Sequence, residues 1–140
     1  MKTILFVCTG NTCRSPMAEC MMNALLKRRG ITGVRALSAG VYAASGAPAS
    51  GGARRAMQRR GLSLEAHRSQ PVTAALLARA SMVMCMSQSH LAALRAQFPG
   101  LQIPMRAFDD PPVSDPFGGG DDAYERAARD IERQLPALLG

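Results

Sequence analysis

Apolar positions along this chain follow two periods. Ile4-Leu5-Phe6-Val7 and Met82-Val83-Met84-Cys85-Met86 are short unbroken apolar runs. Runs of that length with no polar alternation predict strands buried on both faces, at residues 3–7 and 82–86. Met17, Cys20, Met21, Ala24 and Leu25 recur three and four residues apart, which predicts a helix over 16–29. Pro16 suits its first turn and Gly30 its stop. On this face Cys20 reads as a core thiol. Residues 34–37 predict a second strand running into Ser38-Ala39-Gly40. Residues 41–52, with Gly46, Pro48, Gly51 and Gly52, predict a loop, and a basic helix over 53–60 follows and stops at Gly61. Thr73 predicts the cap of a helix over 74–80, and Ser87 the cap of one that carries Leu91, Leu94 and Phe98 on a single face. Residues 102–106 predict a fourth strand, with Pro104 placing it at an edge. Residues 108–120 predict a long Pro- and Gly-rich loop, a length that is usually functional. The last helix starts at Asp121 or Asp122, buries Tyr124, Ala127, Ala128 and Ile131, and ends near Leu135 ahead of Pro136.

Strands alternating with helices predict an α/β fold: one domain, residues 1–140, with a four-stranded parallel sheet and helices on both faces. Ligands of such sheets bind beyond the C-terminal strand ends. The loop after residue 7 leaves the first strand there, and so does the loop holding Asp115.

Composition narrows the classes. A chain of 140 residues with 47% apolar and 19% charged residues builds one core. The apolar run at 4–7 is too short for a secretory signal, and no stretch approaches the ~20 residues of a membrane span. A soluble cytoplasmic protein, probing no membrane, is expected. The net charge is +7, yet there is no Trp, only two Tyr and four Phe, and no aromatic residue interleaves Lys27-Arg28-Arg29 or Arg59-Arg60. Nucleic acid is therefore the weaker partner, and an acidic phosphoprotein the better one. Four cysteines do not make a secreted disulfide framework. One close Cys pair and two His, His67 and His90, fall short of a structural zinc site. No metal or other cofactor is expected, and a monomer is.

The informative segment is Cys8-Thr9-Gly10-Asn11-Thr12-Cys13-Arg14-Ser15, set between the first strand and a proline-led helix. Unpaired N–H groups at a helix start attract an anion. Arg14 adds a planar fork for two phosphate oxygens. Cys8 lies at the base of this cradle, where a thiol of ~8.5 in isolation is expected to fall. A thiolate aimed at phosphorus is a nucleophile for phosphoryl transfer. The loop lacks the glycines and lysine of a nucleotide P-loop and the glycines of a dinucleotide fingerprint. A leaving group then needs a proton. Asp115-Pro116-Phe117, Asp110-Pro111 and Asp109 all lie in the long loop, and all three aspartates also read as turn formers.

Val7 to Glu19 of this chain resembles the active-site segment of the low-molecular-weight protein-tyrosine phosphatases. Ser38-Ala39-Gly40, His67-Arg68-Ser69, the strand at 82–86 and Asp115-Pro116-Phe117-Gly118-Gly119 recur in that family's order. The resemblance covers essentially the whole chain. It implies a flavodoxin-like four-stranded parallel sheet and a metal-independent two-step reaction. Cys8 then corresponds to the nucleophile that becomes phosphocysteine, and Arg14 to the phosphate and transition-state ligand. Asp115, rather than Asp110, corresponds to the acid of the first step and the base of the second. Ser15 corresponds to the hydroxyl that stabilises the thiolate. Thr9, Gly10, Asn11, Thr12 and Cys13 complete the phosphate-binding loop. Asn11, Ser38 and His67 match a network that holds the loop in shape. Cys13 matches a second cysteine able to form a reversible disulfide with the nucleophile; packing of the loop explains it equally well.

Two departures concern the substrate. Position 12 is Thr where tyrosine-directed members usually carry Ile or Leu, and the aromatic after Asp-Pro is Phe117 where many carry Tyr or Trp. Thr12 with Asp-Pro-Phe-Gly-Gly resembles the bacterial protein-arginine phosphatase branch. The expected activity is hydrolysis of a phosphorylated protein side chain, with phosphoarginine favoured over phosphotyrosine. Thiol-dependent arsenate reduction uses a similar loop but needs two further cysteines close together, and Cys85 stands alone. A phosphate-binding module without turnover is disfavoured by the joint presence of Cys8, Arg14 and Asp115.

Overall fold

The computed structural model describes residues 1–140. Its strands are β1 (Lys2–Cys8), β2 (Val34–Gly40), β3 (Met82–Cys85) and β4 (Met105–Ala107). They form one parallel sheet in the order β2-β1-β3-β4. Its helices are α1 (Arg14–Arg28), α2 (Gly51–Gln58), α3 (Ala74–Arg79), α4 (Gln88–Gln97) and α5 (Asp121–Gln134), and a 3₁₀ turn at Pro136–Leu139 follows. The expected α/β class, sheet and two-sided cover are all present.

Alternation along β1 explains the two-sided cover. Ile4, Phe6 and Cys8 pack with α1, α2 and α5 through Met17, Met21, Met57, Tyr124 and Ile131. Leu5 and Val7 face the other way, against Leu77 of α3 and Leu91 and Leu94 of α4. β1 therefore carries no polar face, as a central parallel strand must not. Phe6 and Phe108 stack with ring centroids 6.3 Å apart.

Several boundaries differ from expectation, most by a residue or two. β4 is three residues, 105–107, not 102–106. Its ladder starts at the Pro104 carbonyl, which accepts from Val83 N at 2.9 Å. Leu101 and Ile103 are apolar because they cover the α3–α4 side of the core, outside the ladder. β4 is nonetheless an edge strand. β2 runs on to Gly40, which pairs with Cys8. A Cβ at Gly40 would collide with the Thr9 carbonyl, so a glycine lets the first loop curl against this strand. α1 begins at Arg14, and Pro16 sits within its first turn, where an N–H has no helical partner in any case.

α2 starts at Gly51 instead of 53. Ser50 caps it, its hydroxyl oxygen accepting from Ala53 N at 3.4 Å. Gly51 and Gly52 read as loop residues in sequence, but Gly52 serves a tertiary contact. A Cβ there would run into the Tyr124 ring of α5. α3 and α4 carry the Thr73 and Ser87 caps expected of them.

Candidate active site

Cys8 is the last residue of β1, and Arg14 the first of α1. The intervening loop turns back on itself at Asn11, whose φ is 57°. Asparagine tolerates that left-handed backbone better than most residues. The Cys13 cap position makes no side-chain cap hydrogen bond, so the first N–H groups of α1 remain available to the loop. The Ser15 and Asn11 N–H groups are oriented so as to favour the thiolate form of Cys8.

A row of side chains fixes this loop. Ser15 Oγ lies 2.8 Å from Cys8 Sγ. Asn11 Nδ2 donates to Ser15 Oγ at 2.8 Å and to Ser38 Oγ at 2.9 Å. Ser38 donates onward to Glu19 Oε1 at 2.6 Å. Asn11 Oδ1 accepts from Gln70 N, and the Asn11 carbonyl pairs with His67 Nε2 at 2.8 Å. Asn11 and Ser15 are fully buried and Ser38 nearly so. Buried polar groups this well satisfied specify one geometry. Ser38 and His67 thus stand behind the loop, on the side away from the cavity.

In front of the loop, one cavity of about 200 Å³ is lined by Cys8, Thr9, Gly10, Thr12, Cys13, Arg14, Asp115 and Phe117. Arg14 is buried, its Nη1 donating to the Val113 carbonyl at 3.0 Å. Its Nη2 lies 3.7 Å from Asp115 Oδ2. The other Asp115 oxygen, Oδ1, accepts from Phe117 N at 3.1 Å. Asp115 therefore does both things its Asp-Pro context allows: one oxygen forms the turn and the other faces the cavity. Asp110 does not reach this cavity; it borders a separate one with Arg106 and Arg133. Phe117 stands at the mouth, 76% exposed.

Cys8 differs from the expected depressed thiol. Burial pushes it up, and the Ser15 hydroxyl, the Ser15 and Asn11 N–H groups and the Arg14 charge pull it down. Each of those groups presents a hydrogen or a positive charge to sulfur, so each favours the thiolate. At Cys85 only the Arg95 charge opposes burial. Burial pushes Cys85 up to about 12, and burial with the neighbouring Glu19 charge pushes Cys20 up to about 11. Cys20 is only half-buried and hydrogen-bonds to the Ser63 carbonyl at 3.6 Å. Cys13 points toward Ser50 Oγ at 3.2 Å and Tyr124 OH at 3.5 Å.

Several participants escaped sequence reasoning. Glu19 anchors the far end of the loop network, and burial raises its carboxyl against the pull of Ser38 and His67. His90 reaches Thr9 across 81 positions of sequence. The Val113 carbonyl, a backbone group, has no sequence signal at all. No three His, Cys, Asp or Glu side chains gather as a metal-binding group.

Known proteins share this fold. The chain matches the family model described as low molecular weight phosphotyrosine protein phosphatase over residues 3–140. It is 41% identical over 141 residues to a protein-arginine-phosphatase of Geobacillus stearothermophilus, covering 96% of this chain and 92% of that one. It is 33% identical over 142 residues to a probable low molecular weight protein-tyrosine-phosphatase, EpsP, of Ralstonia nicotianae, covering 99% and 94%. A solved low molecular weight protein tyrosine phosphatase from T. tengcongensis superposes with a TM-score of 0.93 at 34% identity, covering 99% of this chain and 98% of that one. The YwlE arginine phosphatase, solved as a mutant with a phosphorylated active-site serine, superposes with a TM-score of 0.91 at 34% identity, over 97% and 92%. Matched along nearly its whole length by tyrosine- and arginine-directed relatives alike, the chain belongs to the low molecular weight phosphotyrosine protein phosphatase family and is a protein phosphatase.

Proposed function

We propose that this protein hydrolyses phosphoarginine on protein substrates through a phosphocysteine intermediate on Cys8. The observation that carries this reading is the single cavity uniting a thiol, a buried guanidinium and a carboxylate. The Cys8 thiolate attacks phosphorus, forming an S–P bond as the P–N bond to the substrate arginine breaks. Arg14 and the loop N–H groups hold the three non-bridging oxygens as charge builds on them. The Asp115 carboxyl gives its proton to the departing guanidine nitrogen. The Asp115 carboxylate then takes a proton from water, whose oxygen attacks phosphorus as the S–P bond breaks. Inorganic phosphate leaves, and Cys8 returns as thiolate.

Preference for phosphoarginine is supported by Thr12 in the cavity wall. A phosphotyrosine ring gains from apolar surface, whereas a planar, polar guanidinium tolerates a hydroxyl in the wall. The 41% identity to an arginine phosphatase supports the same choice. Phosphotyrosine is the second reading, favoured by Phe117, whose exposed ring at the cavity mouth offers apolar contact. Arsenate reduction by a cysteine relay is the poorest fit, because Cys85 is buried in β3. A thiol nucleophile is suited to a reducing cytoplasm, where cysteines stay free. Comparing kcat/KM on phosphoarginine and phosphotyrosine peptides of one sequence tests the reading. A higher value on phosphoarginine is expected, and a higher value on phosphotyrosine overturns the preference.

A further inference from the structure

His90 is one of few buried polar side chains outside the loop network, at 4% exposure. It occupies the first turn of α4, on the opposite side of the sheet from α1. Its Nε2 lies 2.8 Å from Thr9 Oγ1, and Thr9 lines the cavity directly beside Cys8. Its Nδ1 lies 2.9 Å from Ser87 Oγ, which also accepts from the His90 N–H and lies 2.8 Å from Ser89 Oγ. The ring is thus clamped at both nitrogens, with its far end on the helix cap. Burial, with the Arg14 charge adding and the Asp115 charge opposing, lowers it to about 4. A neutral imidazole has one donor nitrogen and one acceptor nitrogen. The row from Ser87 through His90 to Thr9 therefore carries no charge on the ring, which donates at one nitrogen and accepts at the other.

The network of Asn11, Ser15, Ser38 and Glu19 braces the loop at Asn11 and Ser15 and makes no contact with the Thr9 side chain. Thr9 is bound to its neighbours by its carbonyl, which accepts from Tyr42 N at 3.0 Å, and by His90 through its side chain. We propose that His90 is a positioning residue for the reaction, acting through the Thr9 hydroxyl to hold the α4-side wall of the phosphate cavity against Cys8. The role rests on the phosphatase reading above and adds a second brace to the loop. Positioning of this kind acts on the transition state, since small misplacements of catalytic groups are costly.

The test is a double-mutant cycle of His90→Ala, Thr9→Val and the pair, with His90→Gln as the conservative variant. Turnover of p-nitrophenyl phosphate, the dissociation constant for inorganic phosphate and the melting temperature are measured for each. Each single change is expected to lower kcat about threefold to tenfold, what one neutral hydrogen bond is worth, with a smaller change in KM. The pair should lose no more than the worse single variant, and His90→Gln should recover most of the loss. Losses that multiply in the pair, or His90→Ala with wild-type kcat, overturn the proposal. A lower melting temperature with unchanged kcat per folded molecule overturns it too, because a role confined to the fold predicts that outcome. Wild-type turnover reports on the phosphatase reading by itself. Coupling between positions 9 and 90 in phosphate binding is read even without turnover, so the two fail separately.

Discussion

Ser15 Oγ lies 2.8 Å from Cys8 Sγ while accepting from Asn11 Nδ2 at 2.8 Å, so with Cys8 as thiolate the hydroxyl is the donor to sulfur. The amide fills one lone pair of the hydroxyl oxygen, and the hydroxyl favours the thiolate over the thiol. Burial works the other way and raises the thiol. Ser15 is thus one of the few groups that favour the Cys8 thiolate.

Ser15→Ala should therefore move Cys8 further up. Iodoacetamide alkylation against pH reads this directly. The midpoint for Cys8 should shift to higher pH in the variant, with the largest rate deficit on the acid side. An unchanged midpoint shows that Ser15 does not tune the thiol.

Asp115→Asn should slow poor leaving groups far more than good ones. General acid catalysis is commonly worth 10²–10⁴-fold, and a good leaving group departs without it. Phenyl phosphate compared with p-nitrophenyl phosphate gives the contrast. Asp110→Asn should be near wild type on both, since Asp110 borders the cavity of Arg106 and Arg133. A larger loss for Asp110→Asn moves the acid to the other aspartate.

Stability should fall on acidification through His90. Its folded value, about 4, lies below the ordinary 6.5. As pH drops from 6.5 toward 4 the unfolded chain takes up a proton that the folded chain refuses, so folding weakens over that window and levels off below it. Urea midpoints measured across the window should decline in the wild type and decline less in His90→Gln. Equal slopes in the two proteins contradict this.

Thr12→Ile should raise kcat/KM on phosphotyrosine peptides and lower it on phosphoarginine peptides. One methylene of pocket contact is worth about 1–3 kcal/mol of discrimination, or about tenfold and upward. A ratio left unchanged means that Thr12 does not select the substrate.

What the sequence made legible follows the range of each interaction. β1, the Cys8 loop and α1 are contiguous, and an apolar run, a loop and a proline mark them in order. The caps at Thr73 and Ser87 were legible because capping is a contact between near neighbours. Asp115 could be chosen over Asp110 only through resemblance, because both precede proline in one loop. Long-range contacts left weaker marks. Gly52 looks like a loop glycine until the Tyr124 ring is placed against it. Ile103 looks like a strand residue until the ladder is seen to start at the Pro104 carbonyl. His90 gave no signal beyond a helix position, since its partner Thr9 belongs to the first loop. The raised Cys8 thiol was hidden for the same reason: the loop announces its donors, while burial depends on the packed whole.

The central claim is that Cys8 carries the phosphoryl group during turnover. Acid quenching of the enzyme in steady state with p-nitrophenyl phosphate, followed by peptide mass spectrometry, tests it most directly. The account predicts a phosphate adduct on the peptide bearing Cys8, located on that residue, more abundant in Asp115→Asn with this good leaving group because the second step loses its base, and absent in Cys8→Ala alongside a loss of turnover. Sustained turnover with no adduct on Cys8, or appreciable activity in Cys8→Ala, would contradict it.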